Sequence, residues 1–253
     1  MPRATRVFHP GYIWHITQRC HKREFLLKFV RDKKRFLIWL FEAKKRFRLS
    51  ILNYSLTSNH IHLLVSDNDN PNAISKAIQL VSGRTAQEYN SRKNRSGAYW
   101  EDRYHVTAID RGHYLIQCMI YIDLNMVRAG IVEHPSDWPY CGYTEISGNK
   151  ERYNLINFEK LCEIFEIPSR EKLRCFYTQM IENALITHDM KRNIVWSESI
   201  AVGNEKFVNQ FESKFFKKSK MKEFIEENGL YILKEDAKPY SSNLPPKKGP
   251  LRE

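Results

Sequence analysis

Only three residues, Thr57-Ser58-Asn59, link two runs of strand-like sequence, residues 49–56 and the aliphatic stretch that ends at Val65. A link that short leaves no room for a crossover, so the two runs must pair as an antiparallel hairpin. With the last two residues of the link, the second run reads Ser58-Asn59-His60-Ile61-His62-Leu63-Leu64-Val65, and the chain turns over residues 67–71. Successive side chains of a strand point to opposite faces. His60 and His62 therefore share one face, while Ile61 and Leu63 point the other way into a core. Two imidazoles side by side on rigid backbone can form half of a metal site, with a protein oxygen as a third contact. The same pair can equally be two half-exposed histidines without a ligand, and spacing alone does not choose.

Elements of matching period surround the hairpin. Residues 11–17 alternate aromatic and β-branched side chains and read as a first strand. Residues 29–47 and 72–89 carry apolar side chains at helical spacing, the first set opposite a basic face. Residues 99–108 turn from aromatic to β-like and give a fourth strand. The order strand, helix, strand, strand, helix, strand predicts an α+β fold. It is the ferredoxin-like split βαβ plan, an antiparallel sheet with helices on one face. The other face is left to carry a site. Residues 111–127 read as a third helix in which Tyr121 and Asn125, four apart, lie one above the other. That pair is either ordinary helix surface or a buried, hydrogen-bonded phenol.

Charge narrows the partner. Lys and Arg total 41 against 29 Asp and Glu, a formal net charge of +12, and aromatic residues make up 13 % of the chain. Cations for phosphates and rings for unstacked bases suit a nucleic-acid binder. The basic stretch holding Gln18, Arg19, His21, Lys22 and Arg23 is either a solvated turn or a loop that contacts phosphates and bases. A second basic loop holds Arg92, Lys93 and Arg95. Tyr12, Trp14, Tyr99 and Trp100 could stack on bases, although Trp14 and Trp100 fall within strand patterns that favour core packing. Five scattered cysteines without a C-x-x-C pair point to a reducing cytoplasm, not to disulfides or a zinc knuckle. No apolar run of membrane-spanning length occurs, and the basic N-terminus lacks the apolar stretch of a secretion signal, so no membrane partner is expected.

Taken together, the residues resemble a known family. The H-x-H of Asn59-His60-Ile61-His62-Leu63-Leu64-Val65, followed by Tyr121-Ile122-Asp123-Leu124-Asn125-Met126-Val127-Arg128-Ala129-Gly130, is similar to the HUH-type single-tyrosine transposases (IS200-like) and most to their REP-associated branch. Supporting stretches are the first strand running into Thr17-Gln18-Arg19, then Trp100-Glu101-Asp102-Arg103-Tyr104, then Asp137-Trp138-Pro139-Tyr140. The resemblance covers roughly residues 8–145. Met126 stands where the family usually has proline, and Cys20 where glycine commonly follows the arginine. The resemblance implies that His60, His62 and Asn125 hold one Mg²⁺ or Mn²⁺ and that Tyr121 is the nucleophile. The implied substrate is single-stranded DNA beside a hairpin, cut to a 5′-phosphotyrosine and a 3′-hydroxyl. Arg103 joins the expected DNA-contacting residues, and a homodimer is allowed.

On this reading residues 1–147 form the catalytic domain, 148–236 a helical accessory region, and 237–253 an extended or disordered basic tail. Residues 138–143 look like a packing strap that closes the domain. Asn157 and Asn204 are candidate helix caps. Two other classes stay open: a domesticated DNA-hairpin-binding protein with little or no cleavage, and an RNA-binding module, although no RNP-like aromatic signature is present.

Overall fold

The computed structural model describes residues 8–66, 70, 72–148, 153–187, 193–215, 222–227 and 230–235. The order read from the sequence becomes β1 (Ile13–Arg19), α1 (Val30–Phe47), β2 (Ser50–Leu56), β3 (His60–Ser66), α2 (Ala73–Arg92) and β4 (His105–Ile109). These strands are arranged β2-β3-β1-β4, every neighbouring pair antiparallel, which is the ferredoxin-like plan. The expected turn over residues 67–71 and the tail 237–253 lie largely or wholly outside the described residues.

Alternation divides the sheet into two faces. On one face Ile16, Ile61, Leu63 and Tyr54 are buried beneath α1 and α2, which contribute Phe36, Leu40 and Ala43, and Ile74, Ala77, Ile78 and Val81. Roughly 1.5–3 kcal/mol per fully buried aliphatic or aromatic side chain makes this the main source of stability. The opposite face holds His15, Asn53, His62 and Thr107. Over it runs α3 (His113–Asp123), followed after a break at Leu124 by the short α4 (Asn125–Arg128). The single helix expected over residues 111–127 is therefore two. No glycine or proline marks the break. Leu124 leaves the helix with φ −78° and ψ 5°.

A β-bulge shifts the β2–β3 register between Ile51 and Asn53. The extra residue, Leu52, turns Asn53 onto the α3 face, where it bonds Asp123. Outside β2, residues 138–142 form the expected strap: Trp138 Nε1–H donates to the Leu56 carbonyl at 2.9 Å, and Gly142 N–H donates to the Tyr54 carbonyl at 2.8 Å. The strap pairs an otherwise open sheet edge. A Cβ on Gly142 would sit 1.9 Å from Asn53 Oδ1. Gly142→Ala is expected to cost about 1–3 kcal/mol, read as a lowered denaturation midpoint at unchanged m-value.

The C-terminal part contains α5 (Tyr143–Ile146), α6 (Phe158–Phe165), α7 (Arg170–Ile186), α8 (Val195–Glu198) and α9 (Glu205–Phe215). It is mainly helical, as expected, and both caps form. Asn157 Oδ1 accepts from Lys160 N–H at 3.0 Å, and Asn204 Oδ1 from Phe207 N–H at 2.8 Å. Three strands depart from the helical expectation: β5 (Ala201–Gly203), β6 (Lys222–Glu227) and β7 (Leu230–Glu235). They extend the sheet past β4, with β5 running parallel to β4, to seven strands among the described residues. Among those residues no helix is long and apolar enough to cross a membrane.

Candidate active site and nucleic-acid interface

The hairpin link builds the first part of the site. Thr57 Oγ1 accepts from the backbone N–H of Asn59 at 3.3 Å and of His60 at 3.0 Å, which tightens the turn that launches β3. His60 Nδ1 lies 2.9 Å from Thr57 Oγ1 and 2.7 Å from Asn59 Oδ1, so its ring is held at the rim. His62, two residues further, is buried, and the two ring centroids are 5.0 Å apart.

A third histidine belongs to this cluster. His15 of β1 is fully buried. Its Nε2 lies 3.0 Å from His62 Nδ1, and its Nδ1 lies 2.6 Å from the backbone carbonyl of Trp196 in α8. Burial pushes its pKa down to about 4, with a smaller contribution from His105, against the raising effect of the Trp196 carbonyl. His15 lies in the strand expected over residues 11–17, and no local pattern marks it as part of a site. Its approach to His62 depends on the β1–β3 register, which sets His15 beside Leu64 and Thr17 beside His62.

Helix α3 brings in Tyr121. Its ring stands edge-on to His62 with centroids 5.7 Å apart, and it is 7 % exposed. The Arg128 guanidinium sits 4.4 Å from the centre of the ring and donates to the Tyr121 carbonyl at 2.5 Å. Past the Leu124 break, Asn125 reaches His62 as well, with Nδ2 3.0 Å from Nε2. The four expected residues, His60, His62, Tyr121 and Asn125, therefore converge, and His15 and Arg128 join them.

Asp123 fixes the break between them. Its Oδ2 accepts from Asn53 Nδ2 at 2.9 Å and from Tyr177 Oη at 2.5 Å, and its Oδ1 from Tyr143 N–H at 3.1 Å. Burial pushes its pKa up to about 6 against the lowering effect of these donors. The helix that carries Tyr121 is thus tied to β2, α5 and α7.

The basic residues separate into two groups. The loop after β1 closes on the histidine end of the sheet: Cys20 N–H donates to the Asn59 carbonyl at 2.7 Å, and Asn59 Nδ2 donates to the Arg23 carbonyl at 3.2 Å. There Lys22 and Arg23 are exposed on a tight turn with φ of 49° and 59°, and His21 and Arg19 are half-buried beside them. Cys20 itself has φ −64°, a conformation any residue adopts, so the glycine common in the family is not needed for the backbone here. Lys93 and Arg103 are also exposed. Gln18 differs from expectation. It points to the helix-covered face, is 7 % exposed, and accepts from Ser82 Oγ at 2.6 Å while donating to the Asp102 carbonyl. Arg92 is committed to Asp32, and Arg95 to Asn90 and the Ala98 carbonyl. Those three side chains brace the loops. Trp14 and Tyr99 are buried and Trp100 packs against the core, so none of them offers an open ring. Phe25 and Phe29 were not anticipated. They are 64 % and 53 % exposed beside Lys22, Arg23 and Lys93, with Lys93 Nζ 5.4 Å from the Phe29 ring centre.

Among the described residues no three His, Cys, Asp or Glu side chains cluster as a metal site. A cation would take two imidazole nitrogens and an amide oxygen from this chain. That donor set fits a borderline divalent ion such as Mn²⁺ better than the harder Mg²⁺. The Asn125 carboxamide already meets His62 Nε2, and turning it over presents Oδ1 on the same side.

Residues 9–125 match the family model described as Transposase IS200 like, a span that runs from just before β1 to Asn125. Over that span the chain is similar to this transposase family, which supports a transposase role. Two solved structures are similar. The REP-associated tyrosine transposase bound to a REP hairpin is 18 % identical, with TM-score 0.48, covering 57 % of this chain and 84 % of that one. A candidate transposase from Deinococcus radiodurans R1 is 15 % identical, with TM-score 0.33, covering 48 % of this chain and 95 % of the other. No match is found among curated proteins.

Proposed function

We propose that this chain cuts and rejoins single-stranded DNA next to a hairpin, with Tyr121 as nucleophile and His60, His62 and Asn125 as the ligands of one Mn²⁺ or Mg²⁺. The observation that carries the reading is the 5.7 Å approach of the Tyr121 ring to His62, in a domain that matches a transposase family. When bound, the cation would withdraw charge from a non-bridging oxygen of the scissile phosphate. The chain does the rest. The Tyr121 phenol gives up its proton and its oxygen bonds to phosphorus, the P–O3′ bond breaks, and the 3′ oxygen leaves as a hydroxyl. The phosphotyrosine keeps the phosphodiester energy, so rejoining by the reverse attack needs no ATP. The Arg128 contact holds the ring in place, and beyond the break at Leu124 Asn125 also reaches His62. The five free thiols suit a cytoplasmic setting.

Substrate binding would fall to Arg19, His21, Lys22, Arg23, Lys93 and Arg103, which neutralise phosphates. Phe25 and Phe29 are placed to stack on unpaired bases. Replacing both with alanine is expected to weaken binding of an unpaired strand roughly tenfold or more in a fluorescence anisotropy titration. The affinity for a blunt hairpin should change less.

The test is incubation with hairpin DNA bearing a single-stranded flank and Mn²⁺, followed by denaturing electrophoresis. A 3′-end label should travel with the protein and a 5′-end label should not, and chelator should remove the adduct. One observation favours a second reading, a hairpin-binding protein without cleavage: Tyr121 is only 7 % exposed. Tight binding with no adduct from any substrate would select it.

A further inference from the structure

We propose that His15 is a positioning residue: with the Trp196 carbonyl it fixes His62 in the tautomer that presents an unprotonated Nε2 to the site. The inference rests on the reading of His62 as a metal ligand, but its core is a hydrogen-bond direction that exists without metal.

The direction follows from one fixed end. A backbone carbonyl can only accept, so the 2.6 Å contact requires the proton on His15 Nδ1. His15 is fully buried with no carboxylate among its hydrogen-bond partners, and it stays neutral with one ring proton. Its Nε2 is therefore an acceptor. At 3.0 Å, His62 Nδ1 must supply the hydrogen. A neutral His62 protonated at Nδ1 has its lone pair on Nε2, and Nε2 is the atom that Asn125 approaches at 3.0 Å. The chain of bonds reads Trp196 carbonyl, His15, His62, site. An imidazole held this way by a partner on its far nitrogen is oriented and made more basic toward a cation.

The relay starts outside the ferredoxin-like unit. Trp196 lies in α8, and the same segment binds the sheet again where Ser199 O accepts from Thr107 Oγ1 at 2.6 Å and from His105 Nε2 at 2.9 Å. β5 then pairs with β4. The C-terminal region thereby supplies a backbone atom on which the state of a site residue depends.

The test uses the full chain. Long-range ¹H–¹⁵N correlation of the imidazoles in the metal-free protein is expected to show both His15 and His62 as Nδ1–H tautomers. Finding His62 as Nε2–H would overturn the proposal. Binding of Mn²⁺ alone, followed by loss of the free-ion electron paramagnetic resonance signal, is expected to weaken roughly 10–100-fold in His15→Phe. In His15→Gln, whose amide oxygen can still accept from His62, it should stay near wild type. Equal Mn²⁺ affinity in a folded His15→Phe variant and wild type would also overturn it. If the phenylalanine variant does not fold, the tautomer spectrum of wild type and of His15→Gln decides. A wild-type chain that shows the tautomers yet forms no DNA adduct would leave the relay standing and sink the proposed cleavage. An adduct in wild type with His62 as Nε2–H would do the reverse.

Discussion

Tyr121→Phe is expected to abolish the covalent protein–DNA adduct while leaving hairpin binding and Mn²⁺ binding intact. The substitution removes one oxygen and nothing else. The ring keeps its edge contact with His62 and its cation–π contact with Arg128, so neither the fold nor the ligand set should shift. In the proposed binding mode, affinity comes from phosphate neutralisation and base stacking around the loop after β1, which the change does not touch. On the proposed mechanism, a chain without this phenol has no group to hold the 5′ phosphate, so strand transfer should fall below detection and not merely slow. A variant that lost binding together with the adduct would instead mark Tyr121 as a packing residue.

The second large effect concerns Asp123. Asp123→Ala is expected to destabilise the protein by about 3–5 kcal/mol, measured as a loss of unfolding free energy in urea at neutral pH. The carboxylate serves three buried donors. Asn53 has an alternative acceptor in the Met119 carbonyl at 3.2 Å, but Tyr177 Oη and Tyr143 N–H would be left without the partner they have now. The tie between α3 and α7 would go with them. The penalty should also depend on pH. Burial raises the Asp123 pKa from 3.8 to about 6 in the folded chain. The fold therefore binds this proton more tightly than the unfolded chain does. The resulting stability is fully present below the unfolded value and fades as pH rises through about 6. The gap between wild type and Asp123→Ala should thus widen by about 1 kcal/mol between pH 7 and pH 5. A gap that narrowed over that range would show that the carboxylate is stabilised in its charged form.

The parts of this molecule legible in its sequence are those governed by local period. The short Thr57-Ser58-Asn59 link forced a hairpin, alternation put His60 and His62 on one face, and helical spacing located α1 and α2 to within a few residues. The four strands of the ferredoxin-like unit followed from order alone. What stayed hidden depends on register and tertiary pairing. β5 is three residues long, too short to show a period, and β6 reads Lys-Glu-Phe-Ile-Glu-Glu, rich in good helix formers. It becomes a strand because β7 pairs with it. Gln18 looked like part of a basic loop, yet alternation along β1 turns it to the helix side. His15 was visible as a residue but not as a neighbour of His62, because nothing local sets how β1 slides along β3. The Trp196 end of the relay is a backbone carbonyl and leaves no trace in side-chain pattern.

The residue to which DNA becomes attached decides whether Tyr121 is the nucleophile. The adduct formed on a hairpin substrate would be digested with nuclease and trypsin, and the modified peptide sequenced by fragmentation mass spectrometry. Cleavage after Arg111 and Arg128 yields a peptide holding both Tyr114 and Tyr121, so the fragments must separate them. The predicted result is a nucleotide joined through its 5′ phosphate to Tyr121. A nucleotide on Tyr114, or on any residue outside that peptide, would contradict the account.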